Sequence, residues 1–328
     1  MVLFGWQALQ LYTNYTNLLT AQIEQARRVK QRYPTKPTFV YLPIVDAQPY
    51  YATEKPIFTD EQYHDFLFRA EDGSLYGPTT HHKCAGAPVP DCICAQWNFF
   101  NKSARDFFIE NATLSLVTAD PHNDAFDGVF FDAAAAFLRG KWGGAANAPA
   151  NPGPDEVMAI EVELMRRVVT AADDHGKYPM FNIHYSDMNV ANNRTQAIMG
   201  AIGGAGMFRF YETHQMLTVD FVANAVAERS IELYTLFCVP VGPDFIDKLA
   251  VFLLVRGEHY YFGYHTSYLD GGWAWHPEFD VDYGLPITGP KLSQQPGGVA
   301  VYTRNYTKCA VRVVCGVGGS CGGTIELN

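Results

Sequence analysis

Apolar and polar positions alternate along this chain in two periods, and the two take turns. A short apolar run, "VLFGW", gives way to "NLLTAQIEQARRVKQRY", where Leu18, Leu19, Ile23, Ala26 and Val29 recur at helical spacing. "TFVYLPIV" is β-branched and aromatic and reads as a strand, and "TDEQYHDFLFRA" reads as a short helix with an acidic first turn. Residues 71–97 are irregular, rich in Gly and Pro, and carry three cysteines; a loop of that length in a compact domain is functional or stapled. The alternation then resumes. "SARDFFIENATLSLV" precedes "GVFFD", and "PDEVMAIEVELMRRVVTAADDHG", with Pro near its start and Gly at its end, leads into "YPMFNIHYSD". "RTQAIMGAIGGAG" feeds "MFRFYETH", "VDFVANAVAERS" feeds "IELYTLF", and "DFIDKLAVFLLVRG" feeds "HYYFGYH".

Seven strands, with an eighth near "ICAQWNFF", alternating with helices predict an α/β chain, a (β/α)8 TIM barrel over residues 1–270 with the cysteine-containing insertion at about 71–97. A doubly wound open sheet is the rival, but no GxGxxG or phosphate-binding loop follows the first strand. From about 271 to 328 the pattern turns to Gly-rich turns and alternating strands, a small C-terminal β appendage packed where a last helix would lie.

Composition narrows the partner. The net charge of −10 argues against nucleic acid and against an anionic membrane surface. No apolar run is long enough for a transmembrane helix, and the opening "MVLFGWQALQLYTNYT" reads as a strand under way rather than a signal peptide. Aromatic content is 14%, with 19 Tyr and 5 Trp, which suits a neutral, hydroxylated ligand. Five N-x-[ST] triplets, at Asn14, Asn101, Asn111, Asn193 and Asn305, point to a glycosylated protein of the secretory pathway. The seven cysteines agree: Cys84, Cys92 and Cys94 in one cluster and Cys309, Cys315 and Cys321 in another are disulfide candidates, leaving Cys238 as a buried free thiol.

Catalytic residues of a barrel lie at the C-terminal ends of its strands, which singles out Asp46, Asp132, His184, Asp187, Glu212, His214 and His265. Asp132 ends a wholly apolar strand and Glu212 follows "MFRFY", on strands four and six in this count. Cleavage of an acetal between sugars needs two carboxylates, one a proton donor and one a nucleophile or base. Each has a plainer alternative: Asp132 as the N-cap of the following helix, Glu212 as a buried acid paired with Arg209 or a histidine. Glu258 precedes its strand and belongs to the opposite rim. Trp97, Trp273, Trp275 and the adjacent Tyr50 and Tyr51 are candidate stacking surfaces for sugar rings, Trp273 and Trp275 foremost, with Tyr211, His184, His214 and His265 as polar contacts. His81, His82 and the nearby cysteines are spaced irregularly for zinc, the "DGGWAWHPEFDVD" acids lack calcium-loop spacing, and no serine elbow is present. The expectation is therefore no metal and no cofactor.

The stretches "TFVYLPIVDAQPYY", "QWNFFNKSARDFFIENA", "DGVFFDAA", and "FLLVRGEHYYFGYHTSY" with the later "GWAWHPEFDVDYGLPITGP" and "GVAVYTRNYTKCAVRVV", resemble the glycoside-hydrolase-like barrels described as hypothetical glycosyl hydrolases. The resemblance spans nearly the whole chain. It implies a sugar-active barrel whose two acids correspond to Asp132 and Glu212, with a carbohydrate as substrate or ligand. A non-catalytic glycan-binding or structural glycoprotein on the same barrel is the alternative.

Overall fold

The computed structural model describes residues 2–4, 18–48, 51–75, 95–118, 124–132, 145–184, 193–203, 206–212, 216–227, 234–240, 242–265 and 276–328. They fall into two compact units, Met1–Met207 and Phe208–Asn328. The division lies within a strand of the βα alternation rather than at about 270, and the C-terminal β segment shares its unit with the last βα repeats.

The first unit contains β1 (Val2–Phe4), α1 (Leu18–Arg32), β2 (Thr38–Pro43), β3 (Asp46–Ala47), β4 (Ala95–Gln96), α2 (Lys102–Phe107), β5 (Gly128–Asp132), α3 (Pro154–Asp174), β6 (Tyr178–His184) and α4 (Asn193–Ile202). Helix α2 continues through a wider π turn (Phe108–Leu114) into Ser115–Thr118. Strands β1, β2, β5 and β6 are neighbours in that order and all parallel. The longest helix forms as its sequence dictates. Pro154 occupies the first turn with Asp155 and Glu156, Gly176 closes the far end at φ 65°, and Val157, Leu164, Met165, Val168 and Ala172 form the buried stripe.

The register of the parallel strands is set at their N-terminal edge. Asp127, one residue before β5, accepts from Lys30 Nζ of α1 (2.6 and 2.5 Å) and from the Thr38 amide that opens β2 (2.7 Å). Its own amide donates to Thr38 O (2.8 Å), and its carbonyl accepts from the Tyr178 amide that opens β6 (2.8 Å). Gly128 is needed here, because a Cβ would fall 1.9 Å from Tyr178 O. From this edge the side chains alternate. Val129 and Phe131 are buried on one face, where Phe131 stacks on Phe181 at 5.1 Å and meets Phe108 of the π turn at 6.5 Å. Phe130 and Asp132 lie on the other face.

The strand expected near Ala95 is not an eighth parallel strand. Residues Ala95–Gln96 form β4, antiparallel to β3. The neighbouring backbone is committed elsewhere: Trp97 N donates to Val45 O, and Gln96 O accepts from Phe68 N. The helix expected over residues 59–70 is also shorter, a 3-10 turn over Glu61–Phe66 capped by Asp60, after which Leu67 bridges Trp97 in extended conformation.

The second unit holds β7 (Gly206–Glu212) from Phe208 onward, α5 (Val219–Ala227), β8 (Tyr234–Pro240), α6 (Phe245–Val255) and β9 (Tyr260–His265), followed by an antiparallel sheet of β10 (Lys291–Gln295), β11 (Val299–Asn305), β12 (Cys309–Cys315) and β13 (Cys321–Leu327). Strands β7, β8 and β9 are parallel. The antiparallel sheet lies on α6. Gly323 of β13 donates its amide to Asp247 Oδ1 (2.7 Å), and a Cβ at this position would meet Ala250 Cβ at 2.5 Å.

Arg304 of β11, 1% exposed, satisfies the carbonyls that a helix end leaves open: its Nη1 donates to Leu253 O (3.1 Å), Leu254 O (3.1 Å) and Arg256 O (2.7 Å). Tyr306 Oη donates to Leu253 O (2.6 Å), and its ring lies 5.1 Å from the guanidinium.

One disulfide is present among the described residues, Cys315–Cys321, closing the β12–β13 hairpin between register partners. Cys309, expected to be paired, is a buried free thiol: it faces Leu327 across the sheet and has no cysteine opposite. Burial raises its thiol pKa. Cys84, Cys92 and Cys94 lie outside the described residues, as does the side chain of Cys238. No helix among the described residues is long and apolar enough to cross a membrane.

Two predictions test these anchors. Burial pushes the Asp127 carboxyl up, but its hydrogen bonds from Lys30 and Thr38 prevail and hold it below its ordinary value of 3.8. Below that value the unfolded chain binds a proton that the folded chain refuses, so this stability is present above 3.8 and is lost as pH falls through the folded value. Asp127→Asn is expected to cost about 1–2 kcal/mol at neutral pH, discounted for partial exposure, and to flatten the acid limb of a melting-temperature profile. Arg304→Met is expected to cost about 3 kcal/mol in denaturant unfolding, because the α6 carbonyls lose their donors inside the protein.

Candidate functional site

Asp132 is the last residue of β5, and the chain on either side of it is fixed by the sheet. Tyr41 is the register partner of Phe130, and Asn182 follows Phe181, the partner of Phe131, so both stand on the same face as Asp132. Tyr41 Oη donates to Asp132 Oδ2 at 2.7 Å and Asn182 Nδ2 donates to Oδ1 at 2.6 Å. Each carboxylate oxygen is thus oriented by one of the two flanking strands. The Tyr41 ring stacks at 6.2 Å on Phe130, and its backbone carbonyl accepts from the buried Tyr51 hydroxyl at 2.8 Å. Asp132 O accepts from Ile44 N at 3.1 Å, which carries the chain leaving β2 past the site. Asp132 is half-buried and Asn182 is buried, and the Asn182 Oδ1 has no hydrogen-bond partner among the described residues. The helix-cap alternative for Asp132 concerns residues 133–144, outside the described residues; the donors described for its side chain come from neighbouring strands.

The other expected site residues distribute as follows. Glu212 ends β7 as anticipated, opposite Cys238 of β8, and Tyr211 precedes it opposite Phe237. His184 ends β6, and His265 ends β9 opposite Pro240. The side chains of these four, and all of Asp187, His214, Trp273 and Trp275, lie outside the described residues. Asp46 is half-buried but does not end a parallel strand; it opens β3, opposite Gln96. Tyr50 lies outside the described residues, and Tyr51 offers no stacking face: it is 0% exposed with its hydroxyl on the Tyr41 carbonyl. Trp97 is likewise corrected. It is 1% exposed, stacked on Phe99 at 5.7 Å with Phe108 edge-on at 5.5 Å, so it is a core residue with no face for a sugar.

Tyr41, Asn182 and Glu54 belong to this neighbourhood and were not singled out from the sequence. Tyr41 and Asn182 sit mid-strand in apolar runs, where only register shows that they flank Asp132. Glu54 lies in "YYATEKP", between two predicted elements, and it is fully buried. Its Oε2 accepts from Gln48 N at 2.5 Å. Burial drives its carboxyl pKa up to about 8; the Gln48 amide offsets part of this rise, and the charge of Asp46 adds to it. Among the described residues no group of three or more His, Cys, Asp or Glu is placed to hold a metal.

No protein-family model matches the chain, and no curated protein matches it in sequence. Solved structures overlap it partially. A cycloisomaltooligosaccharide glucanotransferase of Paenibacillus sp. is 11% identical with a TM-score of 0.41, over 90% of this chain and 35% of that one. The type III pullulan hydrolase of Thermococcus kodakarensis is 12% identical with a TM-score of 0.40, over 90% and 56%. A chitinase of Chromobacterium violaceum is 10% identical with a TM-score of 0.34, over 100% and 86%. This chain spans about a third of the glucanotransferase's length. Overlaps this loose do not carry a function from one chain to another, so the reading below stands on the residues themselves.

Trp97→Ala tests the core assignment: it is expected to destabilise the protein by about 3–5 kcal/mol in denaturant unfolding, as removal of a fully buried indole does.

Proposed function

We propose that the chain is a glycoside hydrolase of the secretory pathway, built on a parallel βα sheet of the glycosidase-barrel type with seven described strands, with Asp132 as nucleophile or base and Glu212 as general acid. The observation that carries this reading is the Asp132 carboxylate, held at the C-terminal end of a parallel strand by Tyr41 and Asn182. A carboxylate oriented from both sides loses little freedom when it attacks a sugar carbon or activates a water. The unpartnered Asn182 Oδ1 beside it supplies an acceptor suited to a sugar hydroxyl. In this reading His184, Tyr211, His214 and His265 bind hydroxyls at the neighbouring strand ends, and Trp273 and Trp275 stack on sugar rings.

Passage through an oxidising compartment agrees with the Cys315–Cys321 bridge and with the exposure of two sequon asparagines, Asn111 and Asn305. Asn101 is the N-cap of α2, its side chain accepting from Ser103 N at 2.9 Å, so modification there competes with the cap.

The test is release of reducing ends from α- and β-linked glucans and from chitin by the purified full chain. Asp132→Asn and Glu212→Gln are each expected to lower kcat roughly 10²–10⁴-fold while circular dichroism stays unchanged. Full turnover in both variants rejects the assignment. Glycan binding by the wild-type chain with no product released makes it a binding protein instead.

A further inference from the structure

The segment leading into β10 pairs with the end of β11 and turns two apolar side chains to the outside. Pro286 and Tyr306 form an antiparallel bridge. Ile287 N donates to Asn305 O at 2.8 Å, and Thr307 N donates to Leu285 O at 2.9 Å. In such a pairing Ile287 stands opposite Asn305 and Leu285 opposite Thr307, and all four side chains leave the face away from Tyr306. Tyr306 is 1% exposed and bonded to α6, so that face is the outer one. Leu285 is 74% and Ile287 64% exposed, and Asn305 and Thr307 are exposed beside them.

The backbone holds these apolar groups in water. Leu285 N donates to Thr307 Oγ1 at 3.0 Å and Asn305 N to Thr288 Oγ1 at 3.2 Å. Gly284, at φ 79°, passes so close that a Cβ would fall 2.1 Å from the Thr307 hydroxyl. An aliphatic pair fixed side by side on the surface gains nothing from folding unless something covers it. Asn305, Tyr306 and Thr307 are also a sequon. The two other sequons among the described residues are more constrained: Asn101 caps α2, and Thr113 of the Asn111 triplet is 0% exposed.

We propose that Asn305 carries an N-linked glycan whose innermost N-acetylglucosamine lies over Leu285 and Ile287, so that the sugar completes the outer face of this sheet. The inference rests on the secretory part of the reading above and not on its hydrolase chemistry. In the modification, Asn305 Nδ2 attacks C1 of the first sugar of a lipid-linked oligosaccharide diphosphate. The C1–N bond forms, the bond from C1 to the diphosphate oxygen breaks, the lipid diphosphate leaves, and the amide gives one proton to a base of the transferring enzyme. The sugar ring carries C–H groups on its faces and the acetyl group adds a methyl, which suit the two aliphatic side chains while the hydroxyls stay in water.

The experiment begins with glycopeptide mapping by mass spectrometry of the chain purified from the cells that make it, where Asn305 is expected to be occupied. Every sequon bare removes the secretory reading and this proposal with it; a bare Asn305 beside an occupied sequon elsewhere overturns this proposal alone. The role of the sugar is then read by light scattering at rising concentration on the full chain secreted from eukaryotic cells. Asn305→Gln is expected to self-associate at a several-fold lower concentration than the wild type, and adding Leu285→Ser and Ile287→Thr to that chain to restore wild-type behaviour. Trimming the wild-type glycan to its innermost sugar with an endoglycosidase should change nothing, and enzymatic removal of the whole glycan from the folded wild type replaces Asn305→Gln if that variant is not secreted. A glycan-free chain that scatters as the wild type does, or a defect that the Leu285 and Ile287 substitutions leave in place, overturns the shielding. None of these readouts depends on glycosidase activity.

Discussion

Asp127 is the residue on which the first unit's geometry depends. It stands just before β5 and bonds simultaneously to α1, to the start of β2 and to the start of β6. Parallel strands have no hairpin to fix their register, and a slip of one residue would exchange every core side chain for one of the opposite face. With the lower edge pinned, Val129 and Phe131 face the helices, and five residues above the clamp Asp132 arrives level with Asn182 and within reach of the Tyr41 hydroxyl. The two acids of "DGVFFD" thus divide the work. One fixes the sheet at its N-terminal edge, and the other is presented at its C-terminal edge.

The second unit solves a different problem with a cation. Helix α6 is almost wholly buried, so its C-terminal carbonyls cannot be left to water. Arg304 reaches them from the antiparallel sheet, where the helix's negative end offsets the burial of the guanidinium, and Tyr306 packs beside it. The close approach at Gly323 brings β13 against the same helix. These contacts account for the C-terminal strands sharing a unit with β7–β9.

Three carboxyls near the end of β2 show how strongly environment separates chemically similar groups. Asp132 is half-buried and oriented by two side-chain donors. Glu54, wholly buried with one backbone donor and a second acid nearby, is driven towards the neutral form. Asp46 lies between solvent and interior and is the charge that Glu54 feels. The turn that carries Glu54 and Tyr51 is therefore both the electrostatically tense part of this unit and the support behind Tyr41.

Much of the architecture was legible in the sequence because it follows from local periodicity. The 3.6-residue stripes of α1 and α3, the apolar β5 with an acid at its end, and the alternating strands after residue 290 all form where the pattern places them. Glu212, His184 and His265 likewise end their strands, since strand ends are marked by where apolar runs stop. What the sequence could not decide were contacts between segments far apart along the chain. The register at Asp127 selects Tyr41 and Asn182 as the partners of Asp132, and neither residue differs locally from its neighbours. Residues near Ala95 read as a parallel strand by composition, yet their backbone partners, Val45 and Phe68, make them half of an antiparallel ribbon. Trp97 is sequestered by Phe99 and Phe108, Cys309 faces a leucine instead of a cysteine, and Glu54 loses its water only when the turn closes over β3. Periodicity records which face of an element is apolar; burial, pairing and charge are properties of the space between elements, and only the tertiary fold creates that space.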